Sequence, residues 1–148
     1  MKLQYSGTEA IRAPKEQVRQ FVLDPNQVGY CLPDLQELQV VDQTHFTAVV
    51  KVGVGPVRGR FKLDVELVPN GDAASINLKG SGMGSGMAMS SEVTLEETAE
   101  GTILHWKADA NISGPLASVG GRLLEGQAKK TIEQMFASIR SRLQAAAD

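Results

Sequence analysis

The stretch PLASVGGRLLEGQAKKTIEQMFASIRSRLQAAA, Pro115 to Ala147, decides how the rest of the chain is read. Leu116, Val119, Leu123, Leu124, Ile132, Met135, Phe136, Ile139 and Leu143 recur in it at spacings of three and four, the period of one helical face. Pro115 suits a first helical turn, where its missing N–H removes no intrahelical bond. Asn111, Ser113 and Gly114 just before it supply capping and turn chemistry. One continuous helix of this length would run roughly 45–50 Å at about 1.5 Å per residue. So long a helix in so short a chain needs something wide packed against it. The expectation is a sheet wrapped around the helix, with the functional space between the two.

Upstream of the helix the period is two. Leu104, Trp106, Ala108, Ala110 and Ile112 share one parity, and His105, Lys107, Asp109 and Asn111 take the other. Met87, Met89, Ser91, Val93 and Leu95 form the inward parity of the strand before it, and Ala74, Ile76, Leu78, Gly80 and Gly82 that of the one before that. Val57, Gly59, Phe61, Leu63, Val65 and Leu67 alternate with Arg58, Arg60, Lys62, Asp64 and Glu66. Phe46, Ala48, Val50, Val52 and Val54 complete a half-buried antiparallel hairpin with them. The turns fall at Gly53–Pro56, Pro69–Asp72, Gly82–Gly86 and Glu100-Gly101. A further strand opens at Leu35.

Nearer the start, Val18, Phe21 and Val22 mark a short helix that Asp24-Pro25 stops, because the residue before a proline avoids the helical region. Asp24 reads as a capping residue for a second short turn from Pro25 to Cys31-Leu32-Pro33. Leu3 to Ile11 is a first strand. Glu9 sits on its apolar parity and reads as a bulge or a strand edge, with a functional buried carboxylate as the alternative. No strand–helix–strand alternation occurs, which excludes a doubly wound parallel sheet. The fold class is α+β: one domain, 1–148, with a seven-stranded curved antiparallel sheet around a long C-terminal helix and two short helices between the first two strands.

A net charge of −2 and 5% aromatic residues give no electrostatic footprint for nucleic acid. The lone Cys31 forms no intrachain disulfide. No apolar run follows Lys2 as in a signal peptide, and none reaches membrane-spanning length, so a cytoplasmic protein is expected, with membrane contact peripheral. Paired Cys or His at metal spacing is absent, so no metal and no cofactor is expected. The run Gly80 to Gly86 joins two strands and opens no helix, which argues against phosphate binding. His45, His105 and Cys31 share no face, and Cys31 reads as a small apolar core residue. Ser91 faces inward without a visible base. Arg58, Arg60 and Lys62 form a basic stripe whose ordinary role is solvation, with an anionic membrane or a partner protein as the alternative.

Glycines at Gly80 and Gly82 opposite the helix glycines Gly120, Gly121 and Gly126 mean either close backbone packing or unfilled volume. Adjacent methionines adapt to varied apolar partners. The resulting expectation is an apolar ligand space lined by Phe61, Leu78, Met87, Met89, Ser91, Trp106, Leu124 and Met135. Its entrance lies at Gly120, Gly121 and Val54, beside the looser first half of the helix.

The order of elements is similar to the helix-grip fold of START domains and the birch-pollen allergen. Ala13-Pro14 with Val18, Asp24-Pro25, Cys31-Leu32-Pro33, Val52 to Val57, Gly80 and Gly82, Gly101-Thr102, the helix start Gly114 to Leu124 and the late Phe136 follow in the order of the CoxG family of carbon monoxide dehydrogenase subunits, which the chain resembles over almost its whole length. Members of that family often have Pro-Gly after the cysteine, where this chain has Pro33-Asp34. They can also carry a C-terminal extension used for membrane association, whereas this sequence ends at Asp148. The resemblance implies a non-enzymatic accessory protein for a molybdenum hydroxylase such as carbon monoxide dehydrogenase. It implies binding of an apolar molecule, a membrane quinone or lipid, and a place at the inner face of the membrane. The alternatives are a cyclase- or hydrolase-like enzyme, which needs Glu9, Tyr5 or Ser91 with a base in the cavity, and a structural adaptor with a filled core.

Overall fold

The computed structural model describes residues 1–147. Strand β1 (Lys2–Ile11) is followed by helices α1 (Lys15–Val22) and α2 (Pro25–Tyr30). Strands β2 (Leu35–Val40), β3 (His45–Val54), β4 (Val57–Asn70), β5 (Ala73–Gly82), β6 (Ser85–Thr98) and β7 (Gly101–Ser113) then run as a meander, and α3 (Pro115–Ser118) and α4 (Gly121–Ala147) close the chain. All seven strands form one sheet in the order β1-β7-β6-β5-β4-β3-β2, and every pairing is antiparallel. Thus β1 and β2, neighbours in sequence, lie at opposite edges, and α1 and α2 carry the chain between them. Asp24 caps α2 by accepting the Asn26 N–H at 3.0 Å, with Pro25 in the first turn.

The continuous helix expected from Pro115 to Ala147 is two helices. Gly120 between them has φ +98°, a backbone conformation that L side chains rarely adopt. The break resets the phase of α4. Its inward stripe becomes Leu124, Ala128, Ile132, Met135, Ile139 and Leu143, while Leu123 is turned outward and 51% exposed. The cap of α3 also differs from expectation. Gly114 is the N-cap and its carbonyl accepts the Ala117 N–H at 3.0 Å, but the side-chain acceptor comes from β6 rather than from Asn111 or Ser113: the Leu116 N–H donates to the buried Ser85 Oγ at 2.8 Å.

Glu9 lies at no bulge, because β1 pairs regularly with β7 from Lys2 to Ile11. The strand is an edge, and the Glu9 carboxylate accepts from the Arg140 guanidinium of α4. Arg140 also donates its Nε–H to the Ala10 carbonyl at 3.0 Å. One arginine therefore clasps the helix to the edge strand. The register shift in the sheet is in β2, between Leu35 and Glu37.

Two buried clusters make up the core. Phe46, Phe61, Leu63, Val65, Leu67 and Leu78 meet Ile112, Leu116 and Leu124 in the first. Val18, Phe21, Val22 and Cys31 meet Ile11, Leu104, Ile139 and Leu143 in the second. Gly80 and Gly82 serve close packing. A Cβ at Gly80 would stand 2.4 Å from the Phe61 ring, and one at Gly82 would stand 2.3 Å from the Arg60 carbonyl oxygen. The Phe61 ring takes the room these two residues leave.

Candidate functional site

The inward stripe of α4 is buried at both ends and not in its middle. Leu124, Ile139 and Leu143 are buried, whereas Ala128, Ile132 and Met135 are only half-buried. The helix backbone approaches the sheet most closely at β1 and β3, and the strands between them make no comparable approach. The sheet mirrors this. Tyr5 opposes Ala108 and Gly7 opposes Trp106 across β1 and β7, Ser91 opposes Ala108 across β6 and β7, and all five are half-buried. Tyr5, Ser91, Ala108, Ala110, Ala128 and Ile132 belong to neither core cluster. A strip of partly exposed, mostly apolar residues thus runs between two closed cores, under the middle of α4.

The residues expected to line a ligand space are distributed across this arrangement. Phe61, Leu78 and Leu124 are sealed in the first core, with Met87 and Met89 packed on its margin. Trp106 and Met135 lie on the margin of the second. Ser91 is on the inner face, but its hydroxyl donates to the Lys107 carbonyl at 3.0 Å. At the expected entrance Val54 is buried, Gly121 is exposed and Gly120 is half-buried. A Cβ at Gly120, Gly121 or Gly126 would meet nothing within 4 Å, so these glycines face open space.

Two polar atoms on the strip are orphaned. The Tyr5 hydroxyl and Trp106 Nε1 are buried and have no hydrogen-bond partner among the described residues. Burial, followed by the neighbouring Glu125 carboxylate, raises the Tyr5 pKa above that of a free phenol. The Trp106 indole leans over Gly7, where a Cβ would stand 3.0 Å from Nε1, and its ring lies 6.1 Å from that of Phe136 on α4. Sequence parity turns both residues inward, yet it carries no sign that their polar atoms lack partners.

The other chemical candidates are engaged elsewhere. Cys31 is buried, and that burial pushes its thiol pKa up. His105 Nε2 is 2.9 Å from Glu96 Oε1. His45 lies between two carboxylates, with Nδ1 2.9 Å from Asp42 and Nε2 2.8 Å from Glu66. Its pKa is raised, first by the Asp42 hydrogen bond and then by Glu66, and the Thr44 N–H and His45 hold Asp42 at about 2. This pair sits beside an open trough of about 730 Å³ whose walls include Asp42, His45, Asp64, Glu66, Lys79 and Asp109. The alternation places Asp64, Glu66 and Asp109 outward but gives no sign of a trough. Among the described residues no group of three His, Cys, Asp or Glu is arranged to hold a metal ion, and no helix is long and apolar enough to cross a membrane.

An antiparallel sheet curled around a C-terminal helix, with a half-open strip beneath that helix, defines a helix-grip, START-like protein. The family model for CoxG, the G-type subunit of carbon monoxide dehydrogenase, matches residues 7–144, and the chain belongs to that family. A conserved protein from Geobacillus kaustophilus has a similar structure, with a TM-score of 0.87 at 21% identity over 99% of this chain and 98% of the other. A START superfamily protein from Mycobacterium smegmatis gives 0.74 at 14% identity, covering 97% and 98%. The Zhui aromatase/cyclase from Streptomyces sp. R1128 gives 0.69 at 13% identity, covering 97% and 94%. At such identities these structures share the fold. No curated protein matches the chain.

Proposed function

We propose that this protein binds an apolar small molecule in a cleft between the middle of α4 and the inner face of β1, β7 and β6. In this reading it serves as an accessory factor to a carbon monoxide dehydrogenase-type molybdenum hydroxylase. The observation that carries the binding reading is the α4 stripe, buried at Leu124, Ile139 and Leu143 and half-exposed at Ala128, Ile132 and Met135. Apolar surface left partly open between two packed cores gains about 25 cal/mol per Å² when a ligand covers it. Family membership supports the accessory role, and a membrane quinone or lipid fits the apolar lining. The break at Gly120 and the open surroundings of Gly121 support admission of the ligand at the start of α4, beside Val54.

Two of the three groups an enzyme of this fold would need are already committed. Glu9 is bound by Arg140, and Ser91 donates to a carbonyl. These engagements favour binding without catalysis. Titration of a quinone or a long-chain lipid analogue, followed by the fluorescence of Trp106, tests the proposal. A saturable change is expected, and a flat response to every apolar ligand counts against it.

A further inference from the structure

We propose that Tyr5 and Trp106 select ligands whose polar end is a neutral acceptor oxygen, a ketone, quinone or ester carbonyl. This rests on the cleft reading above and names the ligand chemistry of the same site. A buried donor left unpaired costs about 1–3 kcal/mol, so two on one wall require an account. Tyr5 and Gly7 are alternate residues of β1 on the inner face, and the edge of the Trp106 indole that carries Nε1 lies over Gly7. Such diagonal positions are within mutual reach of aromatic side chains. Phe136 packs against the indole from the helix side. Beside the two donors the inner-face positions are Ala108 and Ala110, which are small and half-buried.

The chemistry of the partner follows from what surrounds these donors. An indole N–H donates only, and the phenol O–H of Tyr5, whose pKa burial and then Glu125 raise, is a donor as well. The guanidinium of Arg140, further along α4, is occupied by Glu9 and the Ala10 carbonyl, so it is not available to neutralise a carboxylate head group. Glu125 adds repulsion toward an anion. A carbonyl oxygen meets both donors without bringing charge into the strip. Fatty-acid anions are thereby disfavoured, and a pure hydrocarbon leaves both donors unpaired.

Trp106 is the single tryptophan, so its indole N–H gives one resolved signal in a nitrogen–proton NMR spectrum. The probes are decylbenzoquinone, decylbenzene, methyl laurate and lauric acid, each titrated at neutral pH with affinities from calorimetry. The carbonyl ligands are expected to move the indole proton downfield and to bind more tightly than decylbenzene and laurate. Methyl laurate, lacking a ring, separates the hydrogen bond from ring-current effects, and its rank against the quinone tells a lipid-ester source from a quinone source. Tyr5→Phe should reduce the preference for decylbenzoquinone over decylbenzene about three- to tenfold. Equal binding of decylbenzene and decylbenzoquinone with an unmoved indole signal overturns the selection by Tyr5 and Trp106 and leaves the cleft reading standing. Preference for laurate overturns it too. Failure of all four probes to bind removes the cleft reading itself.

Discussion

Two aromatic rings in this protein lie over glycines, and their fates differ. Phe61 fills the space above Gly80 and is 2% exposed, closed in by Leu63, Leu78 and the first core. Trp106 covers Gly7 but stays half-buried, with its N–H unpaired among the described residues and alanines beside it. A glycine under a ring therefore says nothing by itself about open volume. What separates the two walls is cover and neighbour size. On the Phe61 side large side chains from three strands interlock, whereas on the Trp106 side the neighbouring inner-face positions are the half-buried Ala108 and Ala110, and α4 brings Phe136 to the ring.

The largest test of this contrast is truncation. Phe61→Ala should destabilise the protein by about 3–5 kcal/mol in denaturant unfolding, and Trp106→Phe by less than about 1.5 kcal/mol. Equal losses would erase the distinction between a sealed and a half-open wall. Adding a methyl group sharpens it. Gly80→Ala forces a carbon against a trapped ring and should cost about 1–3 kcal/mol. Gly7→Ala presses on an indole that is only half-buried, so it should cost less while shifting Trp106 fluorescence and weakening apolar ligand binding. A large stability loss with unaltered fluorescence at Gly7→Ala would contradict this.

Hydrogen exchange extends the comparison along the helix. Amides from Leu123 to Gly126 should exchange on the order of tenfold faster than those from Ile132 to Leu143, since only the later half rests on the second core and the Arg140 clasp. Uniformly slow exchange along α4 would remove the case for a looser entrance.

The outer face supplies a control that should leave both walls untouched. The lowered Asp42 pKa gives a contribution that is present above the ordinary carboxylate range near about 4 and fades as pH falls through about 2. The raised His45 pKa gives one that is complete below about 6.5 and fades as pH rises through the higher folded value. The turn before β3 is then most secure between about pH 4 and 6.5. An NMR titration should place His45 above the free imidazole value, and Asp42→Asn should bring it down. An unchanged midpoint in that variant would refute the pairing.

The smallest effect expected is at Asp34, which has φ +56°. Asp34→Gly should relieve the strained backbone and raise stability by about 0.5 kcal/mol, because glycine's greater freedom in the unfolded chain offsets part of the gain.

The strands are legible in the sequence because an antiparallel sheet with one solvated face enforces alternation, and β3 to β7 alternate cleanly. The helical face is legible as well, but its continuity is not. Val119-Gly120-Gly121 carries the signal of a break, which the long apolar period overrides. Glu9 reads locally as a bulge or a strand edge, and the edge is what the sheet shows, but its partner, Arg140, lies 131 residues away and nothing nearby announces it. Gly80 and Gly82 are ambiguous for a related reason: a missing side chain does not tell whether a ring from another strand takes its place. The inward direction of Tyr5 and Trp106 follows from parity. Their unpaired polar atoms do not, because that depends on everything packed around them.

The sheet order has a consequence for how this wall comes into being. β1 has one strand neighbour, β7, and their register joins Lys2 to Asn111 and Ile11 to Thr102. The first strand synthesised must therefore wait for the last before it can pair, and pairing at such sequence separation is slow. Through most of synthesis Tyr5 and Gly7 have no strand beside them, while β3, β4 and β5 can already zip as hairpins. The sealed wall assembles early from local pairs, and the wall that carries the two free donors is the final piece set in place.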